Sequence, residues 1–457
     1  MVATLTAWLG GLGPAGALDL DELCACFLRV CRRQAAGLRE ARSAGLDRSL
    51  AGWRATLADA FRLVLRTPVA TLEGLATRTS LEVLWERLHT GLPERPDIAA
   101  VLVARVCADA IDEAVGHRFI DCFRRRGRWR LSPGDPFPVA EPPLRDVFGR
   151  HLTTHPDVRD LPIDRTARLA LAPHADGVEL VVDLDAPLPV PAEGAIIAAC
   201  LPHAAPAREL AFDPDPDRGQ FFGVRPRDEV AAIASTRELV ARALEAGAGL
   251  IVFPELSVTA AGLDAIEAMV AGRDVVVVAG SRHVIVDGAP RNVATVLAGG
   301  ERYPSAKFNP FVLGDLVEGI ASAPARVVVR GAIDRAGRYA WSLAVLICKD
   351  FLSPGAHQAL VSARPALIVV PALTERTAVF EADAVGLTGA TQATCVIVNQ
   401  TDTPASDGVP QTGAWGPEGP AVVIVTRPVP WALSEVVRRT EVKPPACVVL
   451  RLRPAAP

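Results

Sequence analysis

The chain has 457 residues, 50% of them hydrophobic and 22% charged, with a formal net charge of −4. Those proportions exclude a disordered chain, and the slight acidity leaves no global attraction to nucleic acid or an anionic membrane. The length exceeds one ordinary core and predicts two or three folded units.

The opening stretch, Met1-Val-Ala-Thr-Leu-Thr-Ala-Trp-Leu-Gly-Gly-Leu-Gly-Pro14, is apolar but carries no basic residue and is broken by Gly and Pro before Asp19-Leu-Asp-Glu22. A secretory leader is not expected. No apolar run reaches the roughly 18 residues of a membrane span, so the expected address is the cytoplasm, with no membrane partner.

From Asp19 to about Arg130 the pattern is helical. Asp19 is a candidate cap, and Leu23, Phe27, Val30 and Cys31 recur at helical spacing. Thr79-Ser-Leu-Glu82 reads as a capping box. The longest predicted helix begins near Asp97 and turns Ile98, Val101, Leu102, Val106, Ile111, Val115, Phe119 and Phe123 toward a core. Its end meets Arg124-Arg-Arg-Gly-Arg-Trp-Arg130. That run offers cations for phosphates and Trp129 for stacking, but it is short and reads as a solvated helix end favoured by the macrodipole. Cys24, Cys26 and Cys31 lack a fourth ligand at fitting spacing and read as ordinary helix positions. The nine cysteines are odd in number and form no C-x-x-C pair, which argues against a disulfide framework or structural zinc.

From Leu131 to Pro143 the composition turns Pro-rich and suits a linker or an extended strap. Strands are expected around Arg168–Leu171 and Val178–Leu184, and a second punctuated stretch runs from Ala186 to Gly194. The expected division is an α-helical domain of unknown role over 1–130, a Pro-rich linker with strands over 131–193, and a further domain over 194–457.

After Gly194 strands and helices alternate. Strands are expected at Ala195–Leu201, Gly249–Phe253, Asp274–Ala279, Asn292–Ala298, Ala325–Arg330, Trp341–Ile347, Ala366–Val370, Cys395–Asn399 and Ala421–Val425. Helices are expected over Asp228–Ala246, Asp264–Val270, Gly355–Ala363 and Asp383–Ala393. This alternation is that of an α/β layered fold. So many strands exceed one comfortable open sheet and favour two packed sheets with helices outside.

Three residues end or directly follow strands and have complementary chemistry: Glu255 after Leu250-Ile-Val-Phe-Pro, Lys307 in Pro304-Ser-Ala-Lys-Phe-Asn-Pro310, and Cys348 after Leu346-Ile. Cys348 falls in a strand-to-helix turn, at the end of a strand where α/β sheets bind ligands and where a helix N-terminus favours a thiolate. A thiol nucleophile needs a base, and an attacked carbonyl needs a cation or amide N–H for its developing charge. Glu, Lys and Cys supply those parts. Taken singly, each has a plainer reading, as a solvent-facing Glu, a surface Lys and a packed Cys; their joint order favours chemistry.

Phe253-Pro-Glu255, Lys307 and Leu346-Ile-Cys348-Lys-Asp350 together resemble the Glu-Lys-Cys signature of the nitrilase superfamily of carbon–nitrogen hydrolases. Further landmarks are Val277-Val-Ala-Gly280-Ser, Arg291-Asn292, Ala366 to Ala372, Val396-Ile-Val-Asn399-Gln and Gly413-Ala-Trp-Gly-Pro-Glu-Gly419. The resemblance runs from about 194 to 453. It implies a four-layer α-β-β-α sandwich, preceded here by the helical domain, that self-associates and hydrolyses a small-molecule amide or carbamoyl compound without metal or cofactor. Cys348 is then the nucleophile, Glu255 the base, and Lys307 with the backbone N–H of Lys349 the oxyanion donors. A second acidic residue is expected between Lys and Cys, either Glu318 or Asp315. Lys349, Asn309 and Trp415 depart from the usual pattern and alter the pocket wall. Two alternatives share the residues: an acyltransferase using the same acyl-enzyme, and a non-catalytic binding or signalling module. The helical domain is a candidate platform for a macromolecular partner.

Overall fold

The computed structural model describes residues 20–43, 50–64, 95–124, 129–139, 165–173, 177–190, 195–401, 421–429 and 432–452, apart from 216, 314, 323, 336, 375 and 392, with Ile163 and a few positions between 83 and 91. The capping box at 79–82, residues 125–128 of the basic run and the motif at 413–419 lie outside them. The chain divides into two compact units, one of 1–127, 131–141 and 155–174, the other of 128–130, 142–154 and 175–457.

The first unit is built on α1 (Leu20–Arg33), α2 (Ala35–Ser43), α3 (Ala51–Val64), α4 (Pro96–Val115) and α5 (Phe119–Arg124). Proline at the first helical position opens α4, where its missing N–H costs nothing. α1, α2 and α3 all pack on α4, which buries Ile98, Val101, Leu102, Val106, Cys107 and Ile111. The thiols of Cys24 and Cys31 donate to the carbonyls of Ala108 and Val101 on α4, at 3.5 and 3.9 Å. The helix predicted to run through Phe123 breaks at a 3-10 turn, Gly116–Arg118. A Cβ on Gly116 would fall 2.8 Å from Cδ of Arg168, so the turn closes against that side chain.

Part of the Pro-rich stretch read as a linker is folded into this unit. Pro136–Pro138 pairs antiparallel with Leu169–Leu171, Phe137 is buried, and α1 reaches over through Arg29 to the Gly134 carbonyl and Arg32 to those of Leu171 and Ala172. Prolines are tolerated because a two-stranded ladder leaves N–H positions on its outer sides unused.

Among the described residues the second unit has these main strands: β1 (Val178–Asp183), β2 (Ala195–Leu201), β3 (Leu250–Phe253), β4 (Val276–Val286), β5 (Ala289–Ala298), β6 (Glu301–Ala306), β7 (Ala325–Ile333), β8 (Tyr339–Val345), β9 (Leu367–Ala372), β10 (Thr394–Asn399), β11 (Ala421–Val429), β12 (Ala432–Val442) and β13 (Ala446–Leu452). One sheet has the order β6-β5-β4-β3-β2-β13; the other runs β1-β7-β8-β9-β10-β11-β12, with Trp129–Leu131 at its edge beside β1. The longer helices are α6 (Glu229–Glu245), α7 (Ala260–Val270), α8 (Pro354–Ala363) and α9 (Thr377–Thr391).

Leu239, Val240 and Ala243 of α6 and Leu263 and Ile266 of α7 share a buried cluster with Ile251, Phe253 and Val277 of the first sheet. α8 and α9 pack on strands of the second sheet. Between the sheets, β3 and β4 touch β9, and β2 touches β10.

β4 was expected to stop at Ala279, yet it continues to Val286. It bulges between Val278 and Ser281 and turns back into β5 through Asp287-Gly288, both at positive φ, the conformation a two-residue hairpin turn requires. Gly299-Gly300 makes the same kind of turn into β6. At the bulge, a Cβ on Gly280 (φ 59°) would sit 2.2 Å from the Pro254 carbonyl oxygen. Only glycine allows β4 to lie this close to the residue before Glu255.

Candidate active site

Glu255, Lys307, Glu318 and Cys348 converge, although 93 residues separate the first from the last. Glu255 leaves the end of β3 in a turn whose next residue, Leu256, has φ 55°. Ser281 Oγ accepts the Leu256 N–H at 3.2 Å, and Ser257 Oγ donates to the Pro254 carbonyl at 2.7 Å. Lys307 follows β6, with its own N–H on the Asn292 carbonyl. Cys348 follows β8 and opens a 3-10 turn, Cys348–Leu352, ahead of α8, whose N-cap is Ser353. Its φ of 46° is left-handed, a strained setting for a residue with a side chain.

Lys307 Nζ donates to Glu255 Oε1 and to Glu318 Oε2, each at 2.7 Å, and all three residues are buried. Glu318 lies on the short strand Leu316–Glu318, and its Oε2 also accepts the Phe311 N–H at 2.8 Å. Asp315, the other candidate, is exposed. The Cys348 thiol lies close enough to the Glu255 carboxylate and the Lys307 ammonium to feel both charges. Asp350 ties the two loops together, its carboxylate accepting the N–H groups of Phe308 (3.2 Å) and Asn309 (2.7 Å). The Lys349 side chain is exposed and donates to the Pro310 carbonyl; its backbone N–H lies in the first turn of the 3-10 helix, where such groups have no partner within the helix.

Two polar residues stand behind this cluster, neither given a role by sequence reasoning. Asn292 Nδ2 donates to both carboxylates, at 3.1 Å to Glu255 Oε1 and 2.7 Å to Glu318 Oε1. His283 Nε2 lies 2.9 Å from Glu318 Oε1, while Nδ1 faces the N–H groups of Gly223 (3.0 Å) and Val224 (3.2 Å). Two donors on Nδ1 force it to be the unprotonated nitrogen. Nε2 therefore carries the proton and donates it to Glu318. Phe222 stacks on the imidazole at 4.6 Å. His283 and Asn292 are cross-strand partners on β4 and β5, so one register places both at Glu318. The available signal was period-two spacing: Ser281 and His283 share one face of β4.

Electrostatically the two carboxylates differ. Glu318 lies well below the usual carboxylate range: Lys307 and the His283 hydrogen bond overcome its burial. Glu255 is raised by burial and by the Glu318 charge, with Lys307 opposing. The two carboxylates hold Lys307 charged, far above an ordinary lysine, against its burial. Burial and the Glu255 carboxylate push the Cys348 thiol well up. The helix-end effect expected to favour a thiolate is outweighed, and burial beside the Glu255 carboxylate keeps the resting sulfur protonated. Among the described residues no group of three or more His, Cys, Asp or Glu is arranged to hold a metal ion, and no helix is long and apolar enough to cross a membrane.

No protein-family model matches this chain, and no curated protein matches it. Solved structures similar to part of it include an amidase from Nesterenkonia sp. (20% identity, 58% of this chain and 93% of that chain, TM-score 0.38). Nit3 of Saccharomyces cerevisiae, a member of branch 10 of the nitrilase superfamily, is 13% identical over 58% of this chain and 93% of its own (TM-score 0.39). A glutamine-dependent NAD(+) synthetase from Cytophaga hutchinsonii is 12% identical over 56% of this chain and 43% of its own (TM-score 0.33). The functional reading rests on the geometry of the site.

Proposed function

We propose that the second unit is a cysteine-dependent carbon–nitrogen hydrolase acting on a small non-peptide amide or carbamoyl compound. The observation that carries this reading is the buried cluster in which Lys307 bridges Glu255 and Glu318, each at 2.7 Å, with the Cys348 thiol beside it, so that a protonated thiol lies near a carboxylate of raised basicity and a fixed ammonium. The contacts between the sheets, and the helices packed on each, support a four-layer α-β-β-α arrangement.

Glu255 takes the thiol proton as Cys348 Sγ attacks the carbonyl carbon. Lys307 has three N–H groups, and the two carboxylates take two; the third, with the Lys349 N–H, faces the developing oxyanion. Collapse breaks the C–N bond, and the leaving amine takes the proton from Glu255. Water, deprotonated by Glu255, then cleaves the thioester; the acid leaves and Cys348 recovers its proton. Glu318, held ionised by His283 and Asn292, pins Lys307 without competing for the thiol proton.

Incubation with a panel of small amides is expected to release ammonia and to leave a transient acyl mass on Cys348. Cys348→Ala removes the sulfur and is expected to lose both, with turnover down by at least ~10³-fold. A Cys348→Ala protein that releases ammonia at the wild-type rate would overturn the reading. An acyl mass discharged only by an added amine would make the enzyme an acyltransferase.

A further inference from the structure

A second thiol chemistry lies at the edge of the six-stranded sheet, away from Cys348. β13 runs antiparallel to β2 with Cys447 directly opposite Cys200, and Cys447 packs against the same buried cluster that holds Cys200. Directly opposed residues on antiparallel strands have Cα atoms about 4.5–5.5 Å apart, inside the roughly 4.4–6.8 Å that a disulfide spans. Both residues are free thiols. Cys200 is fully buried, with its sulfur 3.7 Å from the Leu239 carbonyl on α6. Cys447 is half-buried on the edge strand, whereas the other eight cysteines are buried.

We propose that Cys447 and Cys200 form a dithiol site that a hydroperoxide converts into a cross-strand disulfide, fastening the edge strand β13 to β2. The roles of the two sulfurs follow from their surroundings. The neighbouring Cys200 thiol and the Arg242 guanidinium favour the Cys447 thiolate, while burial holds Cys200 protonated. An accessible thiolate beside a second thiol is the arrangement that oxidises reversibly.

In the first step the Cys447 thiolate attacks a peroxide oxygen. The O–O bond breaks, the alcohol or water leaves with a proton, and Cys447 becomes a sulfenic acid. In the second the Cys200 sulfur attacks that sulfur. The S–O bond breaks, oxygen departs as water with the Cys200 proton, and the S–S bond forms. Two thiols supply two electrons and one hydroperoxide accepts them.

The test uses the full chain carrying Cys348→Ala, so that the candidate nucleophile consumes no oxidant. The protein is treated with near-equimolar hydrogen peroxide, alkylated and mapped by mass spectrometry. The expected product is a dithiothreitol-reversible link between the peptides holding Cys200 and Cys447, with a melting temperature above that of the reduced protein. Cys200→Ser is expected to leave Cys447 as a sulfenic acid trappable by dimedone. Failure of Cys447 to react before the buried cysteines, or its passage to sulfinic acid without linking to Cys200, would overturn the proposal. The linked-peptide readout does not depend on the Cys200→Ser variant folding, and it stands apart from the hydrolase reading.

Discussion

Asn292 donates one amide group to two carboxylates, so Asn292→Asp puts a third carboxylate where a donor was needed. The Glu255 charge is then opposed rather than oriented. Turnover is expected to drop by about 10²-fold, measured as ammonia release, with the folded state checked by circular dichroism. His283 acts at one remove, through Glu318. In His283→Phe the stacked ring on Phe222 is kept and the N–H to Glu318 is lost, so the pair of carboxylates binds a proton more readily. The acid limb of the kcat/KM profile is expected to move to higher pH, a shift that a purely structural defect would not produce. In the wild type that limb belongs to Glu255, whose basic form is required. Because its carboxyl is raised, activity is expected to fall with decreasing pH at an inflection above the ordinary glutamate value of about 4.3. Stability follows Glu318, whose carboxyl is shifted in the opposite direction. A depressed folded-state pKa stabilises above the unfolded value near 4.3, and the contribution is lost as pH falls below it.

At the level of strands, Arg330 ties the two sheets together. It is the register partner of Asp183 across β7 and β1, 3.8 Å away, and it donates to the Pro304 carbonyl (3.0 Å) and Ser305 Oγ (3.1 Å) on β6. Lys307 comes two residues later. Arg330→Leu leaves Asp183 buried without its cation and is expected to cost roughly 3–5 kcal/mol, read from urea midpoints; adding Asp183→Leu removes the stranded charge and is expected to recover much of that loss. Neither residue was visible as a pair in the sequence, because 147 positions separate them and only sheet order brings them together. What was legible were the apolar runs: Ala195–Leu201 and Leu250–Phe253 are buried on both faces and announce themselves as strands. The outer half of β4 was not, since Ser281-Arg-His283 reads as loop unless the Asp287-Gly288 turn is recognised as the middle of a hairpin. The same limit applies at the site. Cys348, Glu255 and Lys307 could be singled out as strand-end residues of matched chemistry. The choice of Glu318 over Asp315 depended on which one a short strand, paired with Gln220–Phe221, turns toward Lys307.

For the molecule as a whole, the two units carry their own cores, and the cysteines are distributed so as to report on each. Cys24, Cys26, Cys31, Cys107 and Cys122 fall in the helical unit; Cys200, Cys348, Cys395 and Cys447 fall in the other. All are buried except Cys447, so each of the others, the candidate nucleophile Cys348 apart, reacts with an alkylating reagent only when its surroundings open. The helical unit gains its stability from helices packed on α4, whereas the other depends on two sheets whose strands meet over long sequence separations. Such different cores have no reason to melt at one temperature. Pulse alkylation during a thermal ramp, read by peptide mass spectrometry, is expected to label the first five cysteines as one set and Cys200 and Cys395 as another, at separate midpoints. Coincident labelling of both sets, with equal calorimetric and van't Hoff enthalpies, would show one cooperative block and make the division of the chain a matter of geometry alone. Separate midpoints allow the Arg330 and Asn292 variants to be read against the helical set as an internal reference, because a change confined to the sheets should leave those five labels in place.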